Sequence, residues 1–397
     1  MNIKTKIFLL SLFIALFAVS PALAQEEITA EETAATEEII EEVTQDEAVT
    51  AEELEVSEPT LLPDSPFYFL KNWRRGVQSV LTLNKVKKAE LRARFANEKL
   101  MEAEKLAEKT GDQSVIEKAM ENYEAETEKV KTAAESINKN DKNAERLLDK
   151  LADFQLKRQK LMDRLAEKLP EKAREKVLAA QEKSLEKFTE IMTRLDEPEK
   201  MRERLEKAAE NQTGGKFKQF KNLEILMKME EKVPTQAKEA IRRAQENALK
   251  RLHGDLSKMS PEDQEKFKTY LEKISGDELK HAEIIERLKE KGGLTEPLKE
   301  RLEAGREKVL KKIEKRIEKI PDEAKKEEYL KRLENNDLPK LRVIEKLKER
   351  LPEQREKLET IQKNNNERFG RRIENLDEKE KASALEKLRR IQTAPNQ

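Results

Sequence analysis

The 397-residue sequence contains no cysteine, which excludes disulfides, thiolate metal sites and cysteine nucleophiles. Histidine is almost as scarce, with only His253 and His281. The stretch His281-Ala282-Glu283 matches half of a zinc-deaminase motif, but the other half needs two cysteines, and no His-Glu-x-x-His motif occurs. We therefore expect both histidines to be solvent-facing helix residues, and we expect neither a metal nor a cofactor.

Motifs for phosphate binding and nucleophilic catalysis are missing as well. Gly214-Gly215-Lys216 is not a phosphate-binding loop, because Glu210 stands in place of the earlier glycine and Phe217 in place of the Ser or Thr. No Gly-x-Ser-x-Gly elbow is present. Carboxylates are so numerous that we expect nearly all of them on solvated faces, without a catalytic pair. Basic pairs such as Lys311-Lys312 lie beside glutamates, so nucleic acid is not an expected partner. The sequence predicts no enzyme.

Long apolar runs are also rare, and the clearest one lies at the N-terminus. Ile7–Val19 is apolar apart from Ser11, follows Lys4 and Lys6, and precedes Ala22-Leu23-Ala24. A basic start, a short apolar core and an Ala-x-Ala exit predict a secretory signal peptide over residues 1–24. The alternative is an uncleaved N-terminal anchor. No other stretch is long enough to span a bilayer, so we expect an exported chain that is periplasmic, envelope-associated or extracellular.

Charge dominates what remains of the composition. Charged residues make up 41% of the chain, aromatic residues only 4%, and 82 basic residues balance 82 acidic ones. This composition is typical of long helices or coiled coils. Residues 25–60 hold 14 acidic and no basic residues, which predicts an acidic, disordered leader. The signal holds 2 lysines, so residues 61–397 carry 80 basic and 68 acidic residues, a net charge of +12.

Apolar spacing predicts an N-terminal helical domain over residues 61–167. Helical periodicity is found over about 85–109, 113–137 and 142–168. The opening of this domain concentrates the aromatic residues Phe67, Tyr68, Phe69 and Trp73. These four are candidate interaction anchors, because aromatic side chains dominate interface hot spots. The interpretation that we favour is that they fasten the opening segment onto the helices behind it.

A family resemblance covers about residues 60–165. It rests on Leu62-Pro63-Asp64-Ser65-Pro66-Phe67-Tyr68-Phe69-Leu70-Lys71, on Lys88-Ala89-Glu90-Leu91-Arg92-Ala93-Arg94-Phe95-Ala96 and on Lys99-Leu100-Met101-Glu102-Ala103-Glu104. With these stretches the chain resembles the domain-of-unknown-function family 5667, whose members are exported and predicted to be helical. The resemblance implies a helical architecture and supplies no activity.

Residues 168–392 repeat themselves, before a short tail at 393–397. Four related segments start near 169, 233, 294 and 351, with Leu-Pro or Val-Pro at three of the starts. Each segment predicts a long helix of about 25 residues, a shorter one after signals such as Ser260-Pro261, and a third such as 278–291 or 339–350. The last copy ends early and places Asn364-Asn365-Asn366 at positions that are apolar in the others, which is typical of a terminal capping repeat.

The predicted fold class is therefore all-α: an elongated array of amphipathic helices, with four imperfect repeats of about 60 residues after an N-terminal helical domain. Long, loosely supercoiled hairpins are the alternative. For function we expect a non-catalytic scaffold or interaction protein whose partner is an unknown protein or an envelope polymer. One alternative is a periplasmic chaperone-like or stress-sensing protein, suggested by Met192, Met201, Met227 and Met229. Another is a binder of an anionic wall polymer or membrane surface.

Overall fold

The computed structural model describes residues 48–393 except 140, 213–216, 335–337 and 375–377. The chain divides into two units, Met1–Glu38 and Ile39–Gln397, and all the described residues belong to the second. The predicted signal peptide and residues 25–47 of the predicted leader lie outside the described residues, as do the tail from 394 and Gly214-Gly215-Lys216.

Fifteen α-helices and no strand are found in this described part, which confirms the all-α class. A short 3-10 turn, Pro352–Gln354, precedes the fourteenth helix. The helices are α1 Tyr68–Leu81, α2 Lys85–Thr110, α3 Gln113–Glu135, α4 Ala144–Glu167, α5 Glu171–Leu195, α6 Pro198–Asn211, α7 Lys218–Lys232, α8 Thr235–Lys258, α9 Pro261–Lys273, α10 Glu278–Lys291, α11 Glu296–Lys319, α12 Glu323–Lys331, α13 Leu338–Arg350, α14 Arg355–Ile373 and α15 Glu378–Thr393.

The helices stack as a series of hairpins. In each hairpin a central helix packs against the long helix that follows it, giving the pairs α2/α3, α4/α5, α7/α8, α10/α11 and α13/α14. The central helices α2, α4, α7, α10 and α13 also pack on one another in chain order. The short helices α6, α9 and α12 pack on the long helix of the next hairpin. These contacts confirm the predicted helical array and its repeats.

Local signals place the helix ends where the sequence predicts them. Gly111 ends α2 with a φ of 61°, a left-handed conformation that glycine adopts without strain. Ser260 caps α9 by accepting a hydrogen bond from the backbone N–H of Asp263 at 3.1 Å. In the last repeat, the buried Asn365 donates from Nδ2 to the carbonyl of Leu333 at 2.9 Å, so this asparagine satisfies a carbonyl in the turn that follows α12.

The part of the predicted leader that the structure describes is packed rather than disordered. Val49, Ala51 and Leu54 are buried in the main core. The side chain of Asn97 donates to the Leu54 carbonyl at 2.8 Å, and the Lys157 ammonium donates to the carbonyl of Glu53 at 2.9 Å. The prediction of disorder is therefore wrong for residues 48–60, because a few apolar side chains between the glutamates find a site on α2 and α4.

Across the described residues, no helix combines the length and the apolar character that crossing a bilayer requires.

Candidate functional site

Helix α1 is amphipathic in the reverse sense to a normal surface helix. Successive residues of an α-helix turn by about 100°. Its apolar residues Phe69, Leu70, Trp73, Val77, Val80 and Leu81 therefore share an arc of about 120°, which we call the apolar face of α1. Its buried residues, Tyr68, Arg75 and Ser79, lie on the opposite side. The polar side of α1 thus faces the protein, and the apolar side faces outward.

Exposure of large apolar side chains is concentrated at this helix. The described residues contain nine exposed large apolar side chains, and eight of them lie between residues 67 and 83. Trp73 is 70% exposed and Leu81 is 73% exposed, while Leu83, just after the helix, is 90% exposed. The ninth is Leu385 in α15. Concentrated exposure of this kind marks interaction sites on soluble proteins.

A buried ion cluster attaches the polar side of α1 to α2. The carboxylate of Glu102, in α2, pairs with the Lys71 ammonium at 2.7 Å and with the Arg75 guanidinium at 2.7 Å. It also accepts a hydrogen bond from the Tyr68 hydroxyl. Arg75 also pairs with Glu98 of α2 at 2.5 Å. Lys99 lies over the Tyr68 ring, with its Nζ 4.6 Å from the ring centroid. Charge-assisted hydrogen bonds of this kind are strong when they are buried, so α1 is held without using its apolar residues.

The pKa values in this cluster show how closely the groups depend on each other. Burial alone would raise the pKa of Glu102, but the positive charge of Arg75 and the hydrogen bonds from Lys71 and Tyr68 outweigh it, and the pKa lies below its ordinary value. Burial, assisted by the charge of Arg75, lowers the pKa of Lys99 to about 8. The carboxylate of Glu102 is therefore ionised at neutral pH and keeps α1 in place.

The structure separates the four candidate anchor residues into two groups. Tyr68 is buried and fastens α1 to α2, as the favoured interpretation requires. Phe67, Phe69 and Trp73 are 62%, 64% and 70% exposed, so for these three that interpretation is wrong. Helix α1 is not among the helices predicted from the sequence. The spacing of Phe69, Trp73, Val77 and Val80 was available as a signal, since intervals of four, four and three residues are helical.

The charged residues in the stretch of chain that carries the apolar face have one sign. Between residues 65 and 89 the sequence contains six basic residues and no acidic one. Arg75 and Lys71 are neutralised by the glutamates of α2, whereas Arg74, Lys85 and Lys87 are exposed. The apolar face of α1 therefore lies in a stretch of chain whose exposed charges are all positive.

A second cluster of charges is buried between the central helices. Asp163 of α4 contacts the ammonium groups of Lys221 and Lys228 of α7 at 2.6 and 3.1 Å. Glu224 of α7 lies 2.9 Å from Lys221 and 2.8 Å from Lys228, and it is 2.9 Å from Nε2 of His281 in α10. The Lys221 charge, followed by those of Lys228 and His281, overcomes the effect of burial and keeps the pKa of Glu224 well below its usual value.

Two expectations about polar residues are therefore wrong. His281 is fully buried against Glu224 and the Phe220 ring, and His253 is half-buried, with Nε2 2.7 Å from the carbonyl oxygen of Gly292. Carboxylates are also not confined to solvated faces. Ten are buried among the described residues, and eight of them lie on or just before a central helix, which has neighbours on several sides. The ten are Glu102, Glu104, Glu126, Asp163, Asp196, Glu224, Asp277, Glu278, Glu283 and Glu286.

This buried cluster joins helices α4, α7 and α10. Asp163, Glu224 and His281 have essentially no exposed surface. A cavity of about 300 Å³ lies nearby, but it is lined by other residues, among them Lys280, Glu283 and Arg332. A Cβ at Gly276 would lie 2.6 Å from Glu224 Oε1, so the turn before α10 closes directly over the ions. Within the described part of the chain, no group of acidic and histidine side chains has a metal-binding arrangement.

Residues 60–293 match the model of a family described as a domain of unknown function (DUF5667). The match covers more than half of the 397 residues. The chain belongs to this family. The DUF5667 match contains helices α1 to α10, and so includes both the apolar face of α1 and the buried cluster, and it extends well beyond the resemblance over 60–165. No curated protein and no solved structure matches the chain.

Proposed function

We propose that the protein is a non-catalytic, exported helical scaffold that attaches to the cell envelope through the apolar face of α1. The observation that carries this proposal is that eight of the nine exposed large apolar side chains of the described residues lie between residues 67 and 83. A soluble protein rarely leaves so much apolar surface in one place unless a partner covers it. The predicted signal peptide supports a location beyond the cytoplasmic membrane.

The rest of the described structure supports a mechanical role. The central helices are connected by buried ion pairs and a shared apolar core, which favour one fixed arrangement over several. A stack of this kind holds α1 at its N-terminal end, where α1 packs on α2. The array then acts as a rigid body that presents one docking face.

The chaperone-like alternative has less support. The four methionines that suggested it, Met192, Met201, Met227 and Met229, are all buried in the core and unavailable to a client. The wall-polymer alternative rests on the net charge of +12 over residues 61–397, and it predicts binding that does not need the apolar face of α1.

The proposal is tested by co-sedimentation of the chain that begins at Gln25 with isolated cell envelope. We expect the chain to pellet with the envelope, and we expect Phe69→Ser with Trp73→Ser to leave it in the supernatant. Both side chains point away from α2, so the double variant should keep its helical circular dichroism. Leu385→Ser is the matched control, since it removes the exposed apolar side chain that lies outside residues 67–83.

Pelleting that persists in the double variant would overturn the proposal. If such pelleting disappears in high salt, it supports the wall-polymer alternative, because surface charges are screened over about 10 Å at 0.1 M salt.

A further inference from the structure

We propose that the occupant of the apolar face of α1 is the surface of an anionic lipid bilayer, into which α1 inserts parallel to the membrane plane. This inference rests on the proposed docking role of α1 and names its partner. Three observations lead to it: the side-chain types on the face, the charges in the same stretch of chain and the way α1 is held.

The side chains on this face are those that lipid interfaces favour. The apolar arc carries Trp73 and Phe69 at its centre and edge, with Leu70, Val77, Val80 and Leu81 beside them, and Phe67 and Leu83 extend it at both ends. Interfacial helices combine Trp, Phe and Leu on one face with Lys and Arg on the other. A bilayer also needs no complementary groove, and the apolar side chains of α1 project outward from a single helix.

The charges in the stretch of chain that carries α1 fit anionic headgroups. The stretch 65–89 contributes six basic residues and no acidic one, and Arg74 in α1 and Lys85 and Lys87 just after it are exposed. Basic residues near an anionic leaflet are attracted to it, and the attraction falls off within a Debye length. Glu52 and Glu55 line a cavity together with Arg74, and their negative charges oppose its attraction to anionic headgroups. We therefore expect Lys85 and Lys87, which follow the C-terminal end of α1, to contribute most to the attraction.

The same charges disfavour a second copy of the chain as the occupant. Two α1 helices packed face to face would bring two sets of these basic residues together, and like charges at such a distance repel. The ion cluster beneath the helix fits the membrane arrangement. Glu102 holds α1 by its polar side through Arg75 and Lys71, so the apolar face enters the lipid without α1 leaving the protein.

The chain carries its own probe for this inference, because Trp73 is its only tryptophan. We would mix the chain that begins at Gln25 with vesicles of phosphatidylcholine alone and with vesicles that also contain phosphatidylglycerol. We expect the emission of Trp73 to shift to shorter wavelength with the anionic vesicles, and brominated acyl chains to quench it. Raising the salt concentration should weaken binding, since the headgroup attraction is screened.

Two variants separate the apolar and the charged contributions. Phe69→Ser with Leu81→Ser keeps Trp73, and we expect it to lower the vesicle partition constant by at least about tenfold. The triple variant Arg74→Gln, Lys85→Gln, Lys87→Gln should bind anionic vesicles more weakly, and its interaction with phosphatidylcholine vesicles should not change. Its control is Lys118→Gln, Lys129→Gln and Lys139→Gln, which removes three exposed charges away from α1 and should leave binding unchanged.

Each result decides between occupants. Quenching by brominated lipid in anionic vesicles supports insertion. Unchanged Trp73 emission with both kinds of vesicle overturns it, and the proposed docking function still stands if the envelope association depends on Phe69 and Trp73. A dimer in sedimentation equilibrium that Phe69→Ser and Leu81→Ser dissociate would replace the bilayer with a second copy. If the native chain binds neither the vesicles nor the cell envelope, the inference and the proposed function are both overturned.

Discussion

At the scale of single residues, Glu278 shows how burial and pairing compete. Its carboxylate lies 3.3 Å from Arg316, 3.5 Å from Arg174 and 3.5 Å from the Tyr329 hydroxyl, which donates to it. Burial nevertheless raises the pKa of Glu278 to about 7, against the charge of Arg174 and with support from the neighbouring charges of Glu167 and Asp277. The two guanidinium contacts are too long to offset the loss of water around the carboxylate.

This raised pKa predicts a pH dependence of stability. The ordinary pKa is 4.5, so between 4.5 and about 7 the folded chain binds more protons at Glu278 than the unfolded chain does. The contribution of Glu278 to the free energy of unfolding should therefore fall as the pH rises through this window. We expect the free energy of unfolding of Glu278→Gln, relative to that of the native chain, to rise by on the order of 1–3 kcal/mol as the pH is raised from 5 to 8.

Urea denaturation of both chains at pH 5, 6, 7 and 8 measures this difference. Glu239→Gln, at a largely exposed position, is the control. A stability difference between native chain and Glu278→Gln that stays constant across the four pH values would show that burial does not dominate at this carboxylate.

At the scale of helices, the sequence predicts existence and ends well and orientation poorly. Apolar periodicity predicts α2, α3 and α4, and the recurring starts predict the long helices α5, α8, α11 and α14. It does not tell which polar residues lie inside. A central helix is covered by a long helix and by two central neighbours, so its charged residues are buried along with its apolar ones. The apolar stripe of α1 points outward for a related reason: Arg75 and Tyr68 find better partners on α2.

The ion cluster between α4, α7 and α10 gives the element-scale prediction. Lys221 is buried between Asp163 and Glu224 and also donates to the Ser275 carbonyl at 2.6 Å. Lys221→Met leaves two buried carboxylates with too little positive charge, and breaking a buried pair in this way costs about 3–5 kcal/mol. Lys139→Met removes the exposed pair with Glu197 and should cost less than about 1 kcal/mol.

Chemical denaturation of both variants tests the role of this cluster. Equal midpoints for Lys221→Met and Lys139→Met would mean that the central helices are held by apolar packing alone. Hydrogen exchange of the backbone amides shows which helices are destabilised, since the loss of protection in Lys221→Met should be greatest in α7 and α10.

At the scale of the whole described array, stability should follow from neighbouring hairpins. Each central helix packs mainly on the helices next to it, and the last hairpin, α13/α14, contacts the rest chiefly through α10. In such repeat arrays stability is roughly a sum of repeat and interface terms.

We therefore expect a chain that ends after Arg350, without α14 and α15, to remain folded from α2 to α11 and to lose protection mainly in α13, which packs on both missing helices. Hydrogen exchange of the full and shortened chains measures this. Loss of protection that reaches α2 and α4 would show instead that the array folds as a single cooperative unit, in which the last repeat is required throughout.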